Sequence, residues 1–262
     1  ILNPSYVSSV ATGGDGVSNC IDFARMSRAK KTDGTEASLT YYAFARDAVT
    51  WSVIGSSYAP TKLTTAQIKD IFECTKTDWS QVGGQKGAIH VYVNPTSAAT
   101  YTFFLQTIGS SLAAVQAGCG AAYISAHTIQ QNDGTRLAGD PQGIAPYGVT
   151  KWAAEQNQPT GISDLRGGSV LGAVNNTVAP TITQVVGPNT YAVLNPAFAT
   201  GAGTTQGRLL FNAVRNTAPD AIKNIFKPGG YLCTNQNSLL IPFGATPLGT
   251  DTSATNYCGQ AS

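Results

Sequence analysis

The chain has 262 residues and a formal net charge of +2, with 42% hydrophobic and 11% charged residues. Its length permits a substantial core, in one large domain or in two smaller lobes. The small net charge argues against a nucleic acid or an anionic membrane as partner, and no apolar run approaches the roughly 20 residues that a membrane span needs.

A buried strand is the first element that the sequence predicts, because residues 41–55 are rich in aromatic and β-branched side chains. A helix follows, in which Thr64 has the position of an N-cap and Gln67, three residues on, completes a capping box. Its apolar residues fall on one helical face, as core-facing residues do, at Ile68, Ile71 and Phe72.

A strand, a turn and a helix come next. Residues 88–94 alternate as a strand does, and the small-residue turn PTSAAT leads into an amphipathic helix at 100–109. This layout is typical of an anion-binding turn, because the first backbone N–H groups of a helix attract negative charge.

The alternation continues to the C-terminal part. Residues 143–157 predict a strand followed by a helix, and 169–174 and 208–214 predict further strands. A helix is predicted at 219–226, with Pro219 in its first turn. Strands that alternate with helices indicate mostly parallel sheets covered by helices.

Five cysteines are present, at Cys20, Cys74, Cys119, Cys233 and Cys258, and none forms a C-x-x-C pair. With only two histidines in the chain, a structural zinc site is not expected, and disulfides in an oxidising compartment are favoured. We expect Cys74 to pair with Cys119 and Cys233 with Cys258, each bond contributing about 3–4 kcal/mol on the chain-entropy model. Cys20 is left over, as a free thiol, an intermolecular bridge or a residue whose partner is absent.

A secreted or cell-surface location is the expectation that follows. The charged fraction lies well below the roughly 25% of typical soluble domains, and disulfides persist outside the cytosol. The chain starts at Ile1 rather than Met, so we expect that an upstream segment has been removed.

An enzyme is not expected. No G-x-S-x-G or H-E-x-x-H string occurs, and His90 and His127 are the only histidines. His90 lies in a predicted strand, where a histidine with a satisfied structural role is favoured, and His127 suits the surface or a helix cap. No cofactor or metal is predicted.

Five segments carry a family resemblance, in the order CIDFARMSR, LTTAQIKDIFECTKTDWSQVGG, NPTSAATYTFFL, GIAPYGVTKWAAEQ and GGYLCTNQNSLLIPFGATPLG. Together they resemble the phosphate-binding-protein-like branch of the type II periplasmic solute-binding proteins. QQNDGT, DLRGGSVLGAV and the C-terminal tail are similar to a secreted actinobacterial subgroup of that family with an extra pair of disulfides.

The resemblance implies a two-lobed α/β fold with the ligand between the lobes. One lobe would comprise residues 1–55 plus 172–262, and the other residues 56–171. Two ligand-holding loops that the family carries near its start are not recognisable ahead of Cys20. We therefore expect an incomplete N-terminal lobe, completed by upstream sequence or by a strand from another chain.

The implied function is extracellular binding of phosphate or a related oxyanion, in partnership with an ABC importer permease. The alternative is a relative that no longer binds a ligand and acts as an extracellular structural, adhesive or assembly module.

Two groups of ligand-binding residues follow from the resemblance, and the first is at 22–28. Asp22 has the place of a carboxylate that accepts the proton of a partly protonated phosphate, which would discriminate against sulfate. Ser27 and Arg28 match the family's Ser-Arg pair, and Arg25 is a further cation able to bind an anion with two hydrogen bonds. The alternative is that Asp22 caps a turn and that the arginines are solvated.

The second group surrounds the sequence SAAT, which ends at Thr100 and stands where the family has Gly-Ser-Gly-Thr. The hydroxyl of the motif serine is missing, and the loss of such a partner costs about 1.5–3 kcal/mol, or more than about tenfold in affinity. Thr96 or Ser97 could compensate, and Tyr101 stands where the family often has Arg. Alternatively, Ser97 and Thr100 simply cap the helix.

Overall fold

The computed structural model describes residues 22–175, 178–201 and 206–262. The chain divides into two compact units. The first unit comprises Ile1–Ala45, Leu209–Asn235 and Leu248–Ser262, and the second comprises Arg46–Arg208 and Gln236–Pro247. The limits of the two lobes given above, 1–55 plus 172–262 and 56–171, stay a prediction.

Most strands are short. Two are longer, Leu39–Ile54 and Gly207–Arg215, and each has residues in both units. The strands of the described residues are β1 (Phe23–Met26), β2 (Leu39–Ile54), β3 (Lys62–Leu63), β4 (His90–Val91), β5 (Gly143–Gly148), β6 (Ser169–Leu171), β7 (Ala173–Val174), β8 (Thr181–Val186), β9 (Asn189–Leu194), β10 (Gly207–Arg215) and β11 (Thr246–Pro247).

The helices lie between these strands. They are α1 (Thr65–Phe72), α2 (Ala99–Thr107), α3 (Leu112–Cys119), α4 (Ala121–Ala126), α5 (Val149–Asn157), α6 (Pro196–Thr200), α7 (Asp220–Phe226), α8 (Tyr231–Thr234) and α9 (Gln236–Leu239), with 3₁₀ turns at Trp79–Val82, Thr135–Leu137 and Ile241–Phe243. Within the described ranges, none of them is both long and apolar enough to cross a membrane.

The first unit packs around one antiparallel strand pair and one disulfide. β1 pairs with β10, with Phe23 opposite Val214. The predicted bond between Cys233 and Cys258 is present, and both cysteines lie in a buried cluster with Tyr41 and other apolar residues. The disulfide therefore closes the small core of this unit.

The second unit contains mixed pairings. β5 and β6 run antiparallel to β2, and β8 and β9 form an antiparallel hairpin, whereas β4 with β5 and β3 with β7 are parallel. The prediction of mostly parallel sheets was therefore wrong. β2 enters this unit from the other one, so its direction is not set by the strand–helix–strand crossover that makes neighbouring strands parallel.

The core of the second unit explains why the predicted strand at 169–174 is interrupted. Trp51 of β2 is buried, and its indole Nε1 donates to the carbonyl of Ala173 at 3.2 Å. Gly172 lies against the Trp51 ring, where a Cβ atom would overlap it. The chain therefore forms two short strands, β6 and β7, on either side of this glycine.

The predicted capping box of α1 is present. The Thr64 hydroxyl accepts the N–H of Gln67 at 3.1 Å, and the Gln67 side chain accepts the N–H of Thr64 at 2.8 Å. We expect Thr64→Ala to lower the free energy of unfolding by about 1 kcal/mol in urea denaturation, because a helix N–H loses its acceptor. Thr61→Ala, at an exposed residue ahead of the cap, is the control, with an expected change within about 0.5 kcal/mol. Equal effects of the two changes would contradict the cap.

Candidate functional site

The first group of predicted ligands lies at β1 and the bend that follows it, in the first unit. Asp22, Arg25 and Arg28 are exposed, and Ser27 is partly buried. No hydrogen bond brings Asp22 to Arg25 or Arg28 among the described residues. These residues therefore form an exposed polar segment rather than an enclosed site within their own unit.

Arg28 already has a carboxylate partner. Its guanidinium forms a two-pronged ion pair with Glu36, with one Nη1–Oε2 distance of 3.0 Å, and Glu36 also accepts the N–H of Lys31 at 2.9 Å. The hydrogen bonds from Arg28 outweigh burial and lower the pKa of Glu36 to about 2. An anion that bound Arg28 would have to compete with this carboxylate.

This ion pair predicts a pH dependence of stability. A carboxyl group whose pKa is lower in the folded chain stabilises the fold above its ordinary pKa, here 4.5, and loses that contribution as the pH falls towards about 2. Because Arg28 is exposed, solvent screening limits the effect to about 1 kcal/mol or less. Glu36→Gln should therefore be less stable than the parent chain at pH 6, and the difference should shrink as the pH is lowered to about 2, in urea denaturation. The same difference at both pH values would contradict this assignment.

The second group lies in the second unit, where the chain turns from β4 into α2. The N–H of Ala98 donates to the carbonyl of Pro95 at 2.9 Å, which closes the turn. Ala98 is the N-cap of α2 and supplies no side-chain cap, and Ser97 and Thr100 supply none in its place. The first N–H groups of the helix have no intrahelical partner. The start of α2 thus presents uncapped backbone donors beside the buried residue Thr100.

Asn94 is a candidate ligand that the sequence did not reveal. It is 1% exposed, and neither its Nδ2 nor its Oδ1 has a hydrogen-bond partner among the described residues. Buried polar groups are nearly always hydrogen-bonded, and one without a partner costs about 1–3 kcal/mol. Asn94 lies one residue before the turn that begins at Pro95. Because its unpaired amide is unfavourable for the fold, a role in binding a ligand would explain why this residue is present. The only sequence signal was an Asn-Pro pair at the end of an alternating strand.

Tyr101 and Thr96 line a cavity beside this turn. The cavity has a volume of about 190 Å³ and lies along α2 and the start of α3. The Tyr101 side chain is 2% exposed, its hydroxyl has no partner among the described residues, and burial raises its pKa. Tyr101 is thus an inward-facing neutral donor rather than a surface residue.

The helices around the turn are fixed by buried contacts. Phe104 of α2 packs edge-on against Phe72 of α1, with ring centroids 4.8 Å apart. The predicted disulfide between Cys74 and Cys119 is present, and it joins the segment just after α1 to the last residue of α3. α2 therefore packs against α1, and the disulfide links the segments that precede and follow α2 in the chain.

The two histidines have structural partners. The Nδ1 of His90 lies 3.0 Å from a carboxylate oxygen of Asp140, which also accepts the hydroxyl of Tyr92 at 2.9 Å. Burial raises the pKa of Asp140, but these hydrogen bonds outweigh it and the net shift is downward. His127 ends α4 and lies flat against Tyr123. In the described parts of the chain, no three His, Cys, Asp or Glu residues are grouped as a metal site would require.

Cys20, for which the sequence left three possibilities open, lies outside the described residues, as do the residues ahead of it.

Comparisons with known proteins agree with this fold. A family model described as a PBP superfamily domain matches residues 5–202. Among solved structures, a putative phosphate ABC transporter substrate-binding protein from Clostridium perfringens, with bound phosphate, is 14% identical with a TM-score of 0.58, and the match covers 94% of this chain and 84% of that one. An ABC-type phosphate transport receptor from Vibrio cholerae is 16% identical with a TM-score of 0.59, covering 94% and 85%. PstS from Borrelia burgdorferi is 14% identical with a TM-score of 0.55, covering 93% and 83%.

No curated protein matches the chain. At these identities the structural likeness establishes the fold, so the predicted α/β fold class and the resemblance to the phosphate-binding-protein-like superfamily are confirmed. The resemblance to an actinobacterial subgroup stays a prediction.

Proposed function

The chain belongs to the PBP superfamily, and we propose that it is an extracellular solute-binding protein that binds phosphate or a closely related oxyanion. The observation that carries this proposal is the turn from Asn94 to Thr100, where a buried amide without a partner stands beside an uncapped helix start. Two solved proteins of similar fold, a putative phosphate ABC transporter substrate-binding protein and a phosphate transport receptor, add support.

The chemistry of the turn suits an oxyanion. Backbone N–H groups at a helix N-terminus point outward along the axis, and the helix dipole adds a favourable field for negative charge. The Asn94 Nδ2 supplies two further donors, and Thr96, Ser97 and Thr100 supply hydroxyls. These donors are neutral, so they bind an anion without bringing a buried cation that would itself need a partner.

Asn94 also answers the doubt that the sequence raised about SAAT. The serine hydroxyl that the family motif would place at residue 98 is absent, but an amide with two N–H groups is available four residues earlier. We propose that this amide supplies the donor that the missing serine hydroxyl would have supplied, so the missing hydroxyl does not by itself exclude tight binding.

The first group of predicted ligands remains part of the proposal. Asp22, Arg25 and Ser27 are exposed or partly buried and can take part directly, whereas Arg28 would first have to leave Glu36. Delivery of the ligand to an ABC importer permease, and secretion, are also proposed, because two of the solved proteins of similar fold are named as parts of ABC transport systems. A role in transport rather than catalysis is in keeping with these neighbours.

Isothermal titration of the purified full chain with phosphate, and separately with sulfate, tests the proposal. We expect heat that saturates with phosphate well below millimolar concentration, and weaker binding of sulfate. Lack of any heat at millimolar phosphate would remove the proposed function and favour the alternative of a structural module that does not bind a solute.

A further inference from the structure

We propose that β8 pairs with β8 of a second copy of this chain, so that two hairpins join into one antiparallel four-stranded sheet. β8 and β9 form a hairpin over residues 181–194, and both strands belong to the second unit. This association of the protein with itself is independent of the proposed binding of phosphate.

One edge of β8 is unpaired in the described part of the chain. Ala192 of β9 lies opposite Thr183, and both its N–H and its carbonyl bond the side chain of Asn157, at 2.7 Å each. The backbone groups of Thr183 therefore point away from β9. Because this direction alternates along an antiparallel pair, those of Thr181 and Val185 point the same way.

No partner for these outward backbone groups is found elsewhere in the residues that the structure describes. β8 pairs with β9 alone, and no backbone hydrogen bond from outside the hairpin reaches Thr181, Thr183 or Val185. A free strand edge of this kind is a template for pairing with another strand, since its N–H and C=O groups are already aligned.

The side chains along this edge favour such pairing. Val185 is 69% exposed and Ile182 is 43% exposed, and the whole segment 167–207 contains no Asp, Glu, Lys, Arg or His. Natural edge strands are usually protected from association by a charge, a proline or a bulge. Residues 181–186 contain no charge and no proline, and their pairing with β9 is regular. The edge is therefore apolar, uncharged and unprotected.

A second copy of β8 has the properties that the partner strand needs. The partner must be uncharged, because a charge placed against exposed Ile182 and Val185 would lose hydration without gaining an ion pair. It must also offer outward backbone groups at alternate residues, as β8 does. Two identical antiparallel strands are related by a twofold axis, so each favourable contact is made twice.

The register of the pair follows from the outward backbone groups. With the twofold axis at Thr183, this residue faces its own copy, and Thr181 faces Val185 of the second copy. All three residues with outward N–H and C=O groups are then hydrogen-bonded across the interface. The same register places β-branched side chains opposite one another, which is a favourable cross-strand arrangement.

The concentration dependence of the molar mass tests the proposal. In sedimentation equilibrium of the purified full chain, we expect the average mass to rise from one copy towards two between about 1 μM and 1 mM, because an interface made by one strand edge is small and transient. A mass of one copy over this whole range would overturn the proposal.

Val185→Lys should separate the two copies. It places a charge on the edge, as natural edge strands do, and should raise the dissociation constant of the dimer at least about tenfold. The fold should be unaffected because Val185 is exposed, which urea denaturation checks. Val170→Lys is the matched control, at a strand residue that is 44% exposed but belongs to β6, and it should leave the dissociation constant unchanged. Equal effects of the two changes would overturn the assignment to β8.

Thr183→Cys tests the register. The Cα atoms of a hydrogen-bonded antiparallel pair lie about 5.5 Å apart, within the range that a disulfide can span. Oxidation of this variant should therefore give a covalent dimer. Thr61→Cys, at an exposed residue outside the hairpin, and the parent chain, which contains Cys20, measure the background. A covalent dimer no more abundant than this background would contradict an axis at Thr183.

Discussion

Replacement of Asn94 by leucine should weaken phosphate binding at least about tenfold and leave the fold as stable as before or more stable. The Asn94 amide is buried and neither of its polar atoms has a partner among the described residues. Loss of its two N–H donors removes about 1.5–3 kcal/mol of interaction with a bound anion, because a hydrogen bond to a charged group is worth that much.

The effect on stability has the opposite sign. Leucine has a similar shape and carries no polar atom, so Asn94→Leu also removes a desolvation cost of about 1–3 kcal/mol from the ligand-free fold. We therefore expect the free energy of unfolding to stay equal or to rise in urea denaturation, while titration calorimetry records the weaker binding. Such a trade-off is typical of residues kept for function rather than for stability.

Asn157 provides the matched control. Its Nδ2 donates to the carbonyls of Ala192 and Pro242 at 2.7 and 3.1 Å, and its Oδ1 accepts the N–H of Ala192 at 2.7 Å. Asn157→Leu breaks these bonds and should destabilise the fold by about 2–3 kcal/mol, because it leaves backbone groups without partners. Destabilisation of the same size by Asn94→Leu would show that Asn94 has a structural role and would count against the site.

The sequence predicted those elements whose determinants are close together in the chain. The capping box of α1 depends on Thr64 and Gln67, three residues apart, and β2 depends on an unbroken apolar and β-branched run. The hairpin of β8 and β9 was missed. Buried and exposed residues do not alternate regularly along β8, where the apolar residues Ile182 and Val185 are exposed. The available signal for a hairpin was the turn pair Gly187-Pro188, which lies between two segments that contain β-branched residues.

The candidate site was predicted only in part, for a physical reason. Hydroxyls at Thr96, Ser97 and Thr100 can be found from residue type, but whether a polar atom is buried without a partner depends on the packing of the whole unit. Asn94 could not be recognised for that reason. The pairing of Arg28 with Glu36 is likewise set by a bend over eight residues and not by a local periodicity.

The Arg208–Asp47 ion pair is the place where we expect the largest effect on stability. The guanidinium Nε and Nη2 of Arg208 lie 3.0 and 2.8 Å from the Asp47 Oδ2, and the two side chains are only 11% and 8% exposed. Arg208→Met would leave the carboxylate buried and unpaired, so we expect a loss of about 3–5 kcal/mol in urea denaturation. The double variant Asp47→Leu with Arg208→Met should recover most of this loss, because no buried charge then remains.

Arg166 is a matched control for burial. It pairs with Asp164 through similar Nε and Nη2 contacts of 2.9 and 2.8 Å, and it lies over the Trp152 ring much as Arg208 lies over the Phe103 ring, at 4.9 and 4.8 Å. Its ion pair is more exposed, at 22% and 35%, so Arg166→Met should cost about 1 kcal/mol or less. Similar costs for the two arginine variants would contradict the argument from burial.

The Arg208 variant also tests how firmly the proposed site is held. Phe103 belongs to α2, so the Arg208 guanidinium packs between Asp47 of β2 and the helix whose start we propose as the anion site. Loss of this contact should loosen α2 and weaken phosphate binding even at temperatures where Arg208→Met remains folded. Because the double variant restores stability but not the contact with Phe103, it should fold normally and still bind phosphate less tightly than the parent chain. Full recovery of phosphate affinity in the double variant would mean that the packing of Arg208 on α2 does not position the site.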